Sequence, residues 1–159
     1  MRKIILVSSL VWWVTACGSD GSETTIPDIP DASVTLSQAD SIRLTVDSVS
    51  QDTLSINFRL TNEQGQVITD AASSYEVMYL GFPGHKDSSF SVPWHEAKRF
   101  VCDAKTTGCD GEMIEVSQGV YQFTPGNLPD FIDSVETLKY SITIRGELAS
   151  NTFQLYTLT

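Results

Sequence analysis

The chain has 159 residues, with 10 Lys and Arg against 20 Asp and Glu and a net charge of −10. That length fits one domain of ordinary size. The acidic balance excludes a phosphate-tracking nucleic-acid binder, which needs clustered cations. Ser and Thr supply 35 residues and charged side chains only 19%, a composition expected of an exported all-β protein.

Met1-Arg2-Lys3 carries two positive charges, and Ile4 to Val14 is an unbroken run of eleven residues without a charge. As a helix that run rises about 16 Å, roughly half a hydrocarbon core, so it is too short to span a bilayer. A basic start, a short apolar run and then small residues define a secretory signal peptide over 1–16. Val14-Thr15-Ala16-Cys17 resembles the lipobox of bacterial lipoproteins. The resemblance implies that Cys17 is lipidated with diacylglycerol and an amide-linked fatty acid such as palmitate and becomes the mature N-terminus. It also implies partition to the outer membrane, since Gly18-Ser19 lacks the Asp that retains lipoproteins at the inner one. Three acyl chains exceed what stable anchoring requires. Loss of Arg2 and Lys3 with the signal takes the net charge from −10 to −12. Residues 17–33 then form the acylated cysteine and a flexible acidic linker, Gly-, Ser-, Asp- and Pro-rich without hydrophobic period.

Residues 34–159 are expected to form an antiparallel, Ig-like β-sandwich of seven to eight strands, with a small closed barrel as the alternative. Alternation is clearest over Thr53–Thr61, where Leu54, Ile56, Phe58 and Leu60 point one way. Leu138, Tyr140, Ile142 and Ile144 repeat it. Weaker strands are predicted over Ile42–Val49, Tyr75–Phe82, Arg99–Asp103, Met113–Ser117, Val120–Thr124 and Thr152–Leu158. Turn residues separate them, including Asn62-Glu63-Gln64-Gly65 and Gln118-Gly119. Leu128–Glu136 is the one stretch that reads as a helical turn.

With Cys17 acylated, Cys102 and Cys109 remain as an even pair in an oxidising compartment, and a disulfide across a hairpin tip is expected. The catalytic motifs for phosphate loops, zinc proteases and serine hydrolases do not occur. No catalytic residue, metal ligand set or cofactor is assigned. His85 and His95 read as loop histidines: a two-histidine copper or zinc site needs a third ligand, for which Glu96, Asp87 or a free Cys would have to serve, and nothing in the spacing requires it. Asp103, Asp110 and Glu112, with Thr106 and Thr107, read either as a solvated acidic turn or as oxygen ligands for Ca²⁺. Trp94 in Val92-Pro93-Trp94-His95 belongs either to the core or, with His95, to a contact surface.

Leu54 to Val67 resembles a recurring hairpin of bacterial surface domains: an alternating strand, an acidic-amide-Gly turn and a short aliphatic step. Gln118-Gly119-Val120-Tyr121-Gln122-Phe123 resembles the strand that often follows it, and a strand ending in Ile144-Arg145-Gly146-Glu147 comes next. In that order, behind a lipobox and an acidic linker, these segments resemble the haem-free N-terminal β-domain of multihaem outer-membrane cytochromes. The resemblance covers about residues 40–147. It departs from the family in lacking every C-x-x-C-H haem-attachment site, so a kindred chain carries no electrons itself. The expected function is a non-enzymatic binding or structural module of the cell envelope, partnered by the membrane and an envelope protein and by no nucleic acid. The alternative is an accessory that docks beside a multihaem electron-transfer complex.

Overall fold

A computed structural model describes residues 33–84, 96–103, 108–131 and 135–158. Ten strands make two sheets: β1 (Ser33–Thr35), β2 (Arg43–Val49), β3 (Ile56–Thr61), β4 (Val67–Thr69), β5 (Ser74–Pro83), β6 (Glu96–Asp103), β7 (Glu112–Ser117), β8 (Val120–Thr124), β9 (Val135–Ile144) and β10 (Tyr156–Thr157). The smaller sheet runs β10-β9-β5-β6, and the larger joins β1, β4, β3, β8, β7 and β2. One of the two curls as a half-barrel. Thr61 of β3 pairs with Arg43 of β2 and with Val67 of β4. A strand residue has only two sides, so β4 lies on the β8 side of β3, beyond the β7–β8 turn.

The fold is all-β as expected, with ten strands instead of seven to eight. All pairings are antiparallel except β1 with β4, which is parallel. Both of those strands have three residues, too few to display a period of two. No helix forms among the described residues, and Val135 and Glu136 are already in β9. The alternation expected from Leu54 onward also changes. Leu54 has a left-handed φ of 54° and precedes β3, although its side chain is buried. The Tyr79 hydroxyl donates to its carbonyl, so the turn is held from the opposite sheet. Such a backbone costs an apolar residue on the order of 1 kcal/mol or more, offset by burial of the side chain.

Period-two patterning places Ile56, Phe58 and Leu60 of β3, and Tyr121 and Phe123 of β8, on the inner face of the larger sheet. Tyr75, Val77 and Tyr79 of β5, Phe100 and Cys102 of β6, and Tyr140, Ile142 and Ile144 of β9 face them in one core. Aromatic rings bridge the layers: Phe123 meets Tyr75 at 5.5 Å and Phe100 at 5.7 Å, both edge-on. The phenol ends of Tyr75, Tyr79 and Tyr121 are satisfied by backbone. Tyr121 donates to the Ile68 carbonyl (2.8 Å) and accepts from the Ala71 N–H (3.2 Å), tying β8 to the end of β4. Burial pushes the Tyr121 and Tyr79 hydroxyls well above the usual tyrosine range and Tyr140 up to about 12, so each remains a neutral donor at physiological pH. The β7–β8 turn requires Gly119, whose φ is +69° and whose missing Cβ would lie 2.7 Å from Cβ of Val67.

Candidate functional site

An open cleft of about 770 Å³ lies at one end of the two sheets. Ser37 and Asp70 border it from the larger sheet, and Ser74, Arg99 and Arg145 from the smaller one. Asp70 has a left-handed φ of 64°, and its N–H donates to Glu115 Oε2 at 3.1 Å.

The charge pattern of the smaller sheet's outer face follows from its register. Glu76 of β5 stands opposite Val101 on one side and Thr143 on the other. That position brings its Oε2 to 2.9 Å from Nη2 of Arg99 and 3.1 Å from Nη2 of Arg145. The carboxylate is 13% exposed, whereas both guanidiniums are more than half exposed. Arg99 first, and then Arg145, hold the Glu76 carboxyl below the ordinary glutamate value of 4.5, against the opposing effect of burial. A depressed native value contributes stability that is complete above the unfolded value and disappears as pH falls through the folded one. Acid titration of wild type is therefore expected to show a loss of stability below about pH 4.5 that is smaller in Glu76→Gln. Equal slopes for the two proteins in pH-dependent urea unfolding would contradict this.

Beside the cleft, Cys102 and Cys109 form the expected disulfide. Cys102 is buried at the end of β6, whereas Cys109 is exposed. The loop turns back on the strand: Asp110 N–H donates to the Val101 carbonyl at 3.0 Å. The Tyr75 hydroxyl is shared between the carbonyls of Asp110 (3.0 Å) and Gly111 (3.1 Å). Burial, followed by the negative charges of Asp110 and Glu112, raises the Tyr75 phenol and keeps it a donor. On the chain-entropy account a loop this short contributes about 2–3 kcal/mol. Its oxidised pair fits an extracytoplasmic domain.

Among the described residues no three His, Cys, Asp or Glu side chains converge to hold a metal ion. Asp103, Asp110 and Glu112 are therefore not gathered as Ca²⁺ ligands there. Cys17, His85, Trp94, His95, Thr106 and Thr107 lie outside the described residues. The cleft offers hydroxyls, carboxylates and two guanidiniums engaged by Glu76. Sequence reasoning missed the Glu76 cluster, because its members come from β5, β6 and the residue just after β9, and only register joins them. Lys98-Arg99, the one adjacent cationic pair after Arg2-Lys3, was its visible signal.

No family model matches the chain, and no curated protein does. Among solved structures it is similar to part of an outer-membrane cytochrome. That structure is the outer membrane decaheme cytochrome OmcA, with a TM-score of 0.48 and 10% identity over 77% of this chain and 23% of that one. MtrC from Shewanella baltica OS185 is similar at a TM-score of 0.47 and 15% identity, over 74% of this chain and 21% of that one. The chain spans less than a quarter of either.

Proposed function

We propose that this chain is an outer-membrane lipoprotein, anchored by acyl chains on Cys17, whose Ig-like β-sandwich head is a non-enzymatic binding or bracing module of the cell envelope. The observation that carries the reading is Val14-Thr15-Ala16-Cys17 directly after a basic and apolar leader. The disulfide agrees with export. The polar cleft with its engaged arginines agrees with recognition. Two sheets sharing one aromatic core support the Ig-like reading of the head, with β1, β4 and β10 as short additions at its margins.

Cys17→Ala is expected to abolish incorporation of labelled palmitate and to move the chain from the membrane fraction to the soluble fraction. A variant that stayed fully membrane-bound would overturn the anchor. Mild crosslinking in cells, followed by recovery of the chain, tests the head. A stoichiometric haem-free envelope protein supports the binding module. Stoichiometric haem absorbance in the eluate would replace that reading with the accessory that docks beside a multihaem complex.

A further inference from the structure

The five sheet edges are not finished alike. β1 has three residues and β10 two. β2 is bulged between Val46 and Ser48, and the Arg59 guanidinium clasps Asp47 at the bulge with contacts of 2.7–3.0 Å. β7 is bulged between Glu115 and Ser117. Short strands, bulges and charges at the margin are the usual means of preventing a sheet from recruiting another strand. β6 is neither short nor bulged, although it carries Glu96, Lys98, Arg99 and Asp103. It is eight residues long, and its register against β5 runs without a shift from Gly81↔Glu96 to Ser74↔Asp103.

The direction of its backbone groups follows from one hydrogen bond. The Val101 carbonyl accepts from Asp110 N–H, so Val101 faces away from β5. In an antiparallel ladder the sides alternate residue by residue, and the N–H and C=O of Ala97 and Arg99 face away as well. Among the described residues no hydrogen bond covers them on that side. A groove of about 270 Å³ runs beside this stretch, with Lys98, Arg99 and Phe100 on one wall and Asp110, Gly111 and Asn127 on the other.

We infer that β6 accepts an extended segment of another protein as a fifth strand, bonded to the backbone of Ala97 and Arg99 and carrying a Glu or Asp opposite Lys98. Charge selects the occupant. Arg99 is engaged by Glu76, but Lys98 has no carboxylate partner among the described residues, its Nζ lying 5.7 Å from the Phe100 ring centre. A second copy fits poorly: self-pairing through both free residues is centred on Lys98 and sets that lysine against its own counterpart. Like charges directly opposite destabilise a strand pair, and opposite charges stabilise it. Main-chain bonds supply attraction in such strand addition, and the facing side chains supply choice.

This inference rests on the head being a binding module and specifies where it binds. The test uses the full chain in detergent with two probes, an eight-residue peptide alternating Val and Glu and its counterpart alternating Val and Lys. The Glu peptide is expected to bind about tenfold more tightly and to slow amide exchange at Ala97 and Arg99. Ala97→Pro removes an outward N–H and leaves the β5 ladder intact, so it should abolish binding. Lys98→Glu should reverse the preference between peptides, which keeps the test decisive if the proline variant folds poorly. Absence of binding at millimolar peptide, exchange protection elsewhere, or a preference unchanged by Lys98→Glu would overturn the proposal. If Ala97→Pro folds and captures the envelope partner in cells as well as wild type does, the binding-module reading stands and this edge is not its site.

Discussion

Phe123→Ala is expected to destabilise the protein by about 3–5 kcal/mol and to lower Tm by roughly 10–20 °C. Phe123 is fully buried and is the ring through which β8 meets both Tyr75 and Phe100 of the opposite sheet. The loss has two parts, the transfer of the removed ring atoms and the cavity left behind. Collapse into that cavity is restricted, because β8 is paired on both sides, with β3 and with β7. Gly111 packs against the same ring: a Cβ there would stand 2.7 Å from Phe123 Cε2. Urea unfolding of Phe123→Ala beside Ile114→Ala checks the expectation. Ile114 is on β7 but 43% exposed, and its truncation should cost well under 1 kcal/mol. Comparable losses at the two positions would mean that the sheets do not share the core described.

Asn151→Ala should cost about 2–4 kcal/mol, a large effect for a short polar side chain. Asn151 is 8% exposed. Its Oδ1 accepts from Ile144 N–H at 2.7 Å, and its Nδ2 donates to the Ile142 carbonyl at 2.9 Å. The amide thereby replaces a missing strand partner beside β9, and its own N–H completes the arrangement by donating to the Ile144 carbonyl at 3.3 Å. Truncation leaves a buried donor and a buried acceptor unpaired, each costing about 1–3 kcal/mol. Aspartate can accept from Ile144 N–H but has nothing to donate to Ile142 when ionised, so Asn151→Asp should recover little of the loss. Faster exchange of the Ile144 amide, with the β5–β6 amides unchanged, is the accompanying signature. An Asn151→Ala protein as stable as wild type would contradict the role given to this amide.

Sequence and structure agree where a strand is long enough to alternate and has one dry face. Leu138 to Ile144 is such a stretch, with Tyr140, Ile142 and Ile144 all buried as expected. Agreement fails where another interaction replaces the ladder. The C-terminal stretch alternates from Thr152 onward, yet only Tyr156 and Thr157 pair with β9, because Asn151 serves the upper part of that edge through its side chain. Leu54 fits the period of β3 but turns left-handed under the hydroxyl of Tyr79, twenty-five residues away. The cleft was less legible still. Glu76, Arg99 and Arg145 are scattered in sequence and meet only through the β5 register. The Cys102–Cys109 pair was legible because it is local, seven residues apart.

The order in which strands become neighbours has a consequence in time. β3 finds its partner from Ile56 to Phe123, and β5 finds one of its own from Tyr75 to Ile144. Each sheet therefore joins strands from the middle third of the chain to strands from the last. A nascent chain that has emerged only through β6 has neither β8 nor β9 with which to close a core, and so has no early resting place. Contacts this remote in sequence place folding in the millisecond-to-second range. A polypeptide that stays open until its final third is available remains threadable for longer, which suits one that must pass through a narrow translocation channel before it collapses.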